Sequence, residues 1–164
     1  MNKDLQELRQ QFIEAAGHVT QSFGFGRILG QIYAHIYFSP SPQTLDDLTD
    51  SLGISKGSAS MSVRQLEQWT ALKKVWVKGD RKDFYETTDD FGRIIRKMAM
   101  ELIGQKMETA DQLLQDAEQR LKRSANGNGD LDHFRKQVAK LKSFRQKTQG
   151  LLESPIVRML MKRK

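Results

Sequence analysis

Along most of this chain, hydrophobic residues recur at steps of three and four, and the step changes to two only near residues 72–87. Leu5, Leu8, Phe12, Ala15 and Val19 form one apolar stripe on an N-terminal helix of about five turns, which needs a partner to cover it. Ile28, Leu29, Ile32, Tyr33, Ile36 and Tyr37 give a wide apolar face to a second helix over residues 25–38, as expected of a central helix. Ser39-Pro40-Ser41-Pro42 stops it.

Thr44 has the chemistry of a helix N-cap, with Asp47 three residues on in the capping-box position and Asp46 favouring the positive helix end. The short helix it starts runs to Leu52. Gly53 can close it in the left-handed conformation, Ile54 plugs the core, and Ser55 caps the next helix after a turn of about three residues. That spacing predicts a helix-turn-helix. From residue 56 to 69, Ala59, Val63 and Leu66 share one face, while Lys56, Ser58, Ser60, Met61 and Arg64 fall largely off it. Past Leu72, Val75 and Val77 lie on one side of a strand and Lys74, Trp76 and Lys78 on the other, and the Gly79-Asp80-Arg81-Lys82 tip leads into Phe84-Tyr85-Glu86-Thr87. A β-hairpin after a helix-turn-helix is a wing. Trp69 and Trp76 are read as anchors of the helix and the wing to the core, the usual role of indole in a small domain.

A long helix is predicted from residue 90 to Arg123, about 50 Å at 1.5 Å per residue. Ile103, Met107, Ala110, Leu114, Ala117 and Leu121 keep a strict four-three alternation like a coiled-coil seam. Ser124-Ala125-Asn126-Gly127-Asn128-Gly129 reads as a turn, and Asp130 as the cap of a helix with the stripe Leu131, Phe134, Val138, Leu141, Phe144, Thr148 and Leu151. An antiparallel helical hairpin results. Ser154-Pro155 has the chemistry of one more helix start, before the basic cluster Met161-Lys162-Arg163-Lys164. The apolar stripes exceed what one small winged domain covers: either a homodimer buries them or an intramolecular three-helix bundle does, and the homodimer is the favoured expectation.

Charge sharpens this picture. Residues 1–52 carry three Lys/Arg against six Asp/Glu, residues 53–87 seven against four, and residues 88–164 seventeen against ten, so the net +7 accumulates from the second helix of the motif onward. A polyanionic partner suits that placement, although basic helical faces also serve solubility alone. With no cysteine there are no disulfides or thiolate metal sites, and no apolar run reaches the roughly 18 residues of a membrane span, so a cytoplasmic protein is expected. His18, His35 and His133 are too scattered for a zinc site, Gly24 to Gly30 lacks the strand and spacing of a dinucleotide loop, and neither cofactor nor enzymatic activity is expected.

The segment Ser55-Lys56-Gly57-Ser58-Ala59-Ser60 is rich in small hydroxyl residues, which let a backbone approach phosphates closely. Arg64 has the reach for guanine O6 and N7, Lys56 suits phosphate, and Arg81, flanked by Lys78 and Lys82 and oriented by Asp80 or Asp83, can enter a minor groove or clamp a backbone.

The runs LGISKGSASMSVRQLEQW and KKVWVKGDRKDFYE, preceded by GFGRILGQIYAHIYFSP, resemble GbsR/MarR-type transcriptional regulators over residues 20–100. The resemblance implies a mainly α protein, an α+β winged helix-turn-helix domain with dimerisation helices on either side, acting as a dimeric repressor or activator on double-stranded DNA. Its carried-over contacts are Ser55, Lys56, Ser58, Ser60, Met61 and Arg64 on the helix and Arg81 with Lys82 on the wing. Thr44, Gly57 and Lys78 complete the candidate set. The expected organisation is a dimerisation helix over 1–21, the DNA-binding domain over 22–89 and a helical dimerisation region over 90–164. Namesake members respond to choline or glycine betaine, and no motif in the C-terminal half carries that over. A small-molecule effector, if one binds, is expected among Phe12, Phe23, Phe25, Tyr33, Tyr37 and Phe91. The competing class is a winged-helix adaptor that binds proteins and lacks specific DNA binding.

Overall fold

The computed structural model describes residues 3–123 and 129–152 of the 164. The chain divides into two units, one ending at Leu102 and the other beginning at Ile103. In the first, α1 (Lys3–Ser22) lies antiparallel to α2 (Arg27–Tyr37). Arg9 donates to the His35 carbonyl oxygen at 3.0 Å and to Ser39 Oγ at 2.7 Å, Gln31 donates to Glu14 at 3.1 Å, and Thr20 donates to the Gly26 carbonyl at 2.8 Å. The face of α1 used here runs through Arg9, Ile13, Gly17 and Thr20, and Ile13 and Gly17 are its buried members. It is not the predicted stripe: Leu5, Leu8, Phe12 and Val19 are 48–56% exposed. Burying α1 on α2 through glycines and polar contacts leaves the stripe facing outward.

The helix α2 forms the floor of the core. Leu29, Ile32 and Ile36 are buried against Leu48 of α3 (Leu45–Leu52) and against Ala59, Val63 and Leu66 of α4 (Lys56–Gln68). These are the positions at which the 3.6-residue period places apolar groups, so each helix buries one stripe and shows water the rest. The expected caps form. Thr44 Oγ1 accepts from the Asp47 amide at 3.1 Å while Asp47 Oδ2 accepts from the Thr44 amide at 2.8 Å. Gly53 closes α3 at φ 63°, ψ 34°, in the left-handed region. Ser55 Oγ accepts from the Ser58 amide at 3.2 Å and opens α4.

Three strands complete the unit, in the antiparallel order β1 (Gln43–Thr44), β3 (Phe84–Thr87), β2 (Leu72–Val75). Pairing of β2 with β3 ends at Val75 opposite Phe84, so residues 76–83 form the wing loop. The strand β1 was not expected from the sequence; it pairs Gln43 with Tyr85 and Thr44 with Phe84, tying the entry to the helix-turn-helix onto the hairpin. The start of α5 (Phe91–Arg123) closes the core with Ile94 and Met98, and Glu101 accepts from Trp69 Nε1 and, at 3.1 Å, from Gln65 Nε2. Trp69 is thereby the anchor expected of it, 3% exposed and edge-on to Phe25. Trp76 is the opposite: it is 78% exposed on the wing loop, beyond the last strand pair, and anchors nothing.

The second unit is the expected helical hairpin, formed by α5 from Ile103 onward and α6 (Gly129–Leu152). Ion pairs from Lys142 to Glu118 at 2.7 Å and from Arg145 to Asp111 at 2.6 Å set the antiparallel direction. Met107, Ala110, Leu114, Ala117 and Leu121 are half-buried along the α5 seam, as the alternation predicts, while Ile103, its expected first member, is 39% exposed. In α6 the phase differs. Leu131, Val138 and Arg145 face inward, whereas Phe134, Leu141 and Phe144 are 56%, 58% and 70% exposed. Asp130 lies inside the first turn of α6, which begins one residue before it, so it favours the positive helix end and does not cap. The predicted turn over 124–128, the Leu151 side chain and the helix start at Ser154-Pro155 lie outside the described residues.

Candidate nucleic-acid interface

The helix α4 shows solvent the side it does not bury. Lys56, Gly57, Met61 and Arg64 are exposed, Met61 to 75%, while Ser58 and Ser60 are half-exposed. A methionine held that far out of a core that buries Ala59, Val63 and Leu66 is available to an outside surface. Nothing lies within 4 Å of where a Cβ on Gly57 would stand, so this first turn has an open approach.

The wing reaches the same surface. Asp46, in the first turn of α3, accepts from Lys56 Nζ at 3.0 Å through one carboxylate oxygen and from Lys82 Nζ at 3.1 Å through the other. One carboxylate therefore joins the start of α4 to the wing tip. The two ammonium groups hold the Asp46 carboxyl below its ordinary range, Lys56 contributing most, and Asp46 in turn holds the Lys82 ammonium above its own. All three groups are exposed, so the bridge adds little to folding; its effect is to fix where two cations sit.

The wing turn is built by Gly79 at φ 89°, by the Asp80 amide donating to the Val77 carbonyl at 3.2 Å, and by the Lys82 amide donating to Asp80 Oδ1 at 3.0 Å. Asp83 binds Lys74 Nζ at 2.9 Å. Both carboxylates expected to orient Arg81 are therefore engaged elsewhere, and Arg81 and Lys78 stand exposed on the loop. Thr44 is 5% exposed and its hydroxyl serves the cap and Asp47, so of the eleven candidates it is the one turned inward.

Of the aromatic residues considered for an effector, only some converge. Tyr33, Tyr37 and Phe91 form one cluster, with ring centroids 5.5–6.4 Å apart, and Phe12 joins it through Phe38, which is 5.0 Å from Phe12 and 5.1 Å edge-on from Tyr37, while Phe25 packs on Trp69. The Tyr33 hydroxyl is buried without a hydrogen-bond partner among the described residues, and burial pushes it up to about 12, with Tyr37 and Asp89 adding to the shift. Among the described residues no three His, Asp or Glu side chains gather as metal ligands, and no helix is long and apolar enough to cross a membrane.

A trihelical core with α3 and α4 meeting at a glycine turn, followed by a hairpin whose basic tip shares a surface with α4, defines a winged helix-turn-helix protein. Sequence comparison agrees. The chain is 33% identical over 95 residues to the putative HTH-type transcriptional regulator YvaV of Bacillus subtilis, covering 56% of this chain and 54% of that one. It is 30% identical over 87 residues to the HTH-type transcriptional repressor OpcR of the same organism, covering 53% and 47%. The chain thus spans about half the length of the curated relatives it matches. A crystal structure described as a transcriptional regulator shares the fold with a TM-score of 0.52 at 23% identity, over 87% of this chain and 95% of that one. No family model matches.

Proposed function

We propose that the chain is a sequence-specific DNA-binding transcriptional regulator of the cytoplasm that works as a homodimer. In this reading α4 enters the major groove while the wing lies on the adjacent minor groove or backbone. The observation that carries it is the Asp46 bridge, which sets the cationic start of α4 and the wing tip on one face, where a duplex presents groove and phosphate together. Lys56 and Lys82 would take phosphates, the small residues Gly57, Ser58 and Ser60 would let the helix approach closely, and Arg64 and Met61 would reach base edges. Similarity to a protein named as a repressor supports repression as its sign.

The homodimer is supported by the exposed stripe Leu5, Leu8, Phe12 and Val19 on α1 and by the exposed Phe134, Leu141 and Phe144 on α6. Twofold symmetry would present two copies of α4 to successive major grooves about 10 base pairs apart. An effector would act at Tyr33, Tyr37 and Phe91, where a buried hydroxyl has no partner among the described residues and Asp89 supplies negative charge.

The test is duplex binding across a salt series, with targets selected from genomic fragments. A regulator loses affinity steeply with salt and prefers selected over scrambled duplex by at least about a thousandfold. Weak binding with no preference would favour the adaptor.

A further inference from the structure

We propose that Trp76 is a nucleic-acid contact of the wing, its ring covering a deoxyribose of the backbone beside the groove that α4 enters and its Nε1–H donating to a phosphate oxygen. This rests on the DNA-binding reading above. A single exposed apolar side chain is ordinary on a protein surface; the placement of this one is not. Trp76 follows directly on the last paired residue of β2, at the root of a turn fixed by Gly79, Asp80 and Lys82. It lines a cavity of about 520 Å³ together with Lys74, Val75, Arg81 and Lys82, and with Asp80 and Asp83. Asp83 is paired with Lys74 at 2.9 Å, and Asp80, whose Oδ1 accepts from the Lys82 amide at 3.0 Å, is outnumbered on this lining by Arg81 and Lys82. The concavity therefore offers an apolar wall beside cations, which is what a sugar-phosphate strand presents in reverse: an apolar sugar edge between anions. Lys82 is also the wing residue joined through Asp46 to the start of α4, so a strand following α4 to the wing tip passes this wall. Indole suits such a strand because it pairs a broad face with one donor and no acceptor to repel phosphate.

The two tryptophans of the chain make the proposal readable by fluorescence. Trp69 is 3% exposed and bonded to Glu101, so its emission should not respond to a ligand on the wing. Titrating the full chain with duplex DNA should quench and shift the emission of the parent, while Trp76→Phe, which keeps a ring but loses the Nε1–H donor and leaves Trp69 as the one reporter, should show no response and bind more weakly than the parent but more tightly than Trp76→Ala. Trp76→Ala should weaken binding about tenfold, with the slope of log affinity against log salt unchanged because no charge is lost. Circular dichroism and sedimentation on both variants establish that fold and assembly are intact. Parental affinity in Trp76→Ala, or an unchanged fluorescence response in Trp76→Phe, overturns the proposal while leaving DNA binding in place. A change in sedimentation with unchanged DNA affinity also overturns it, assigning Trp76 to a protein contact. If the parent binds no duplex at any salt, the DNA reading itself fails, and the Trp76 assignment fails with it.

Discussion

Gly30 shows how closely α1 and α2 approach. A Cβ built there would stand 2.1 Å from the Ala16 carbonyl oxygen and 2.6 Å from Thr20 Oγ1, and backbone oxygen has no rotamer through which to withdraw. Gly30→Ala should therefore force the helices apart, lowering stability by about 1–3 kcal/mol or more in urea titration despite the better helix propensity of alanine. At Gly17 the nearest atoms are the Cγ atoms of Arg27 and Gln31, at 2.8 and 2.9 Å, which yield only by a change of χ1, and the Arg27 carbonyl oxygen stands farther off at 3.2 Å than the backbone oxygen at Gly30. Gly17→Ala should be the milder change. His35 is a second residue whose role depends on packing: it is 6% exposed, and burial, followed by the nearby Arg9 guanidinium, holds its imidazole below the ordinary 6.5. The folded chain thus prefers neutral His35. The stability it contributes is complete above pH 6.5 and is lost as the pH falls through the lower folded value. Thermal melts should decline as pH drops below 6.5, before most carboxylates titrate, and His35→Gln should flatten that part of the curve. Neither role was legible in the sequence, because a helical glycine and a lone histidine do not reveal which distant atom lies against them. Trp76 misled for the same reason: its type suggested core, and only the end of strand pairing at Val75 puts it in solvent.

What was legible at the scale of elements is what closes within four residues. The Thr44–Asp47 box, the left-handed Gly53 and the Ser55 cap each depend on neighbours that the sequence itself supplies. Thr44→Ala should accordingly cost about 1 kcal/mol by chemical denaturation, with the loss largest in α3 by hydrogen exchange. The strand β1 was not legible, since two residues become a strand only through partners some forty positions away on β3. The phase of α6 was also misread, because hydropathy cannot foresee an arginine in a seam. Arg145 reaches Asp111 at 2.6 Å with its side chain only 14% exposed, covering the interior with its stem while Phe144 turns outward. Asp46 has its consequence at this scale too, since it ties α3, α4 and the wing together. On the proposed DNA face it repels phosphate and occupies two cations, so Asp46→Asn should tighten binding to every duplex and lower the ratio of selected to scrambled affinity. Competition titrations against both duplexes measure that ratio; a variant that discriminates as well as the parent would refute this role for Asp46.

For the molecule as a whole, the question is what covers apolar surface that the chain does not cover itself. Among the described residues, helices α1 and α6 leave seven large apolar side chains exposed, four on the α1 stripe and three on α6. Aliphatic and aromatic groups at helical spacing gain about 25 cal/mol for each Å² withdrawn from water, so a second copy presenting the same stripes is the proposed cover. Leu141→Ser with Phe144→Ser, both far in sequence from α4, should leave the fold of each chain intact, since neither residue is buried. The double variant should sediment as a monomer at micromolar concentration, where the proposed reading has the parent sediment as a dimer. Its affinity for a full palindromic site should fall toward that of a half-site, because linking two half-site contacts multiplies their effect. Affinity for an isolated half-site should not change, and that contrast separates a lost dimer from a damaged winged helix. If the double variant remains dimeric and binds the palindrome like the parent, these α6 side chains are not the dimer surface, and the exposed stripe of α1 is the next to be substituted.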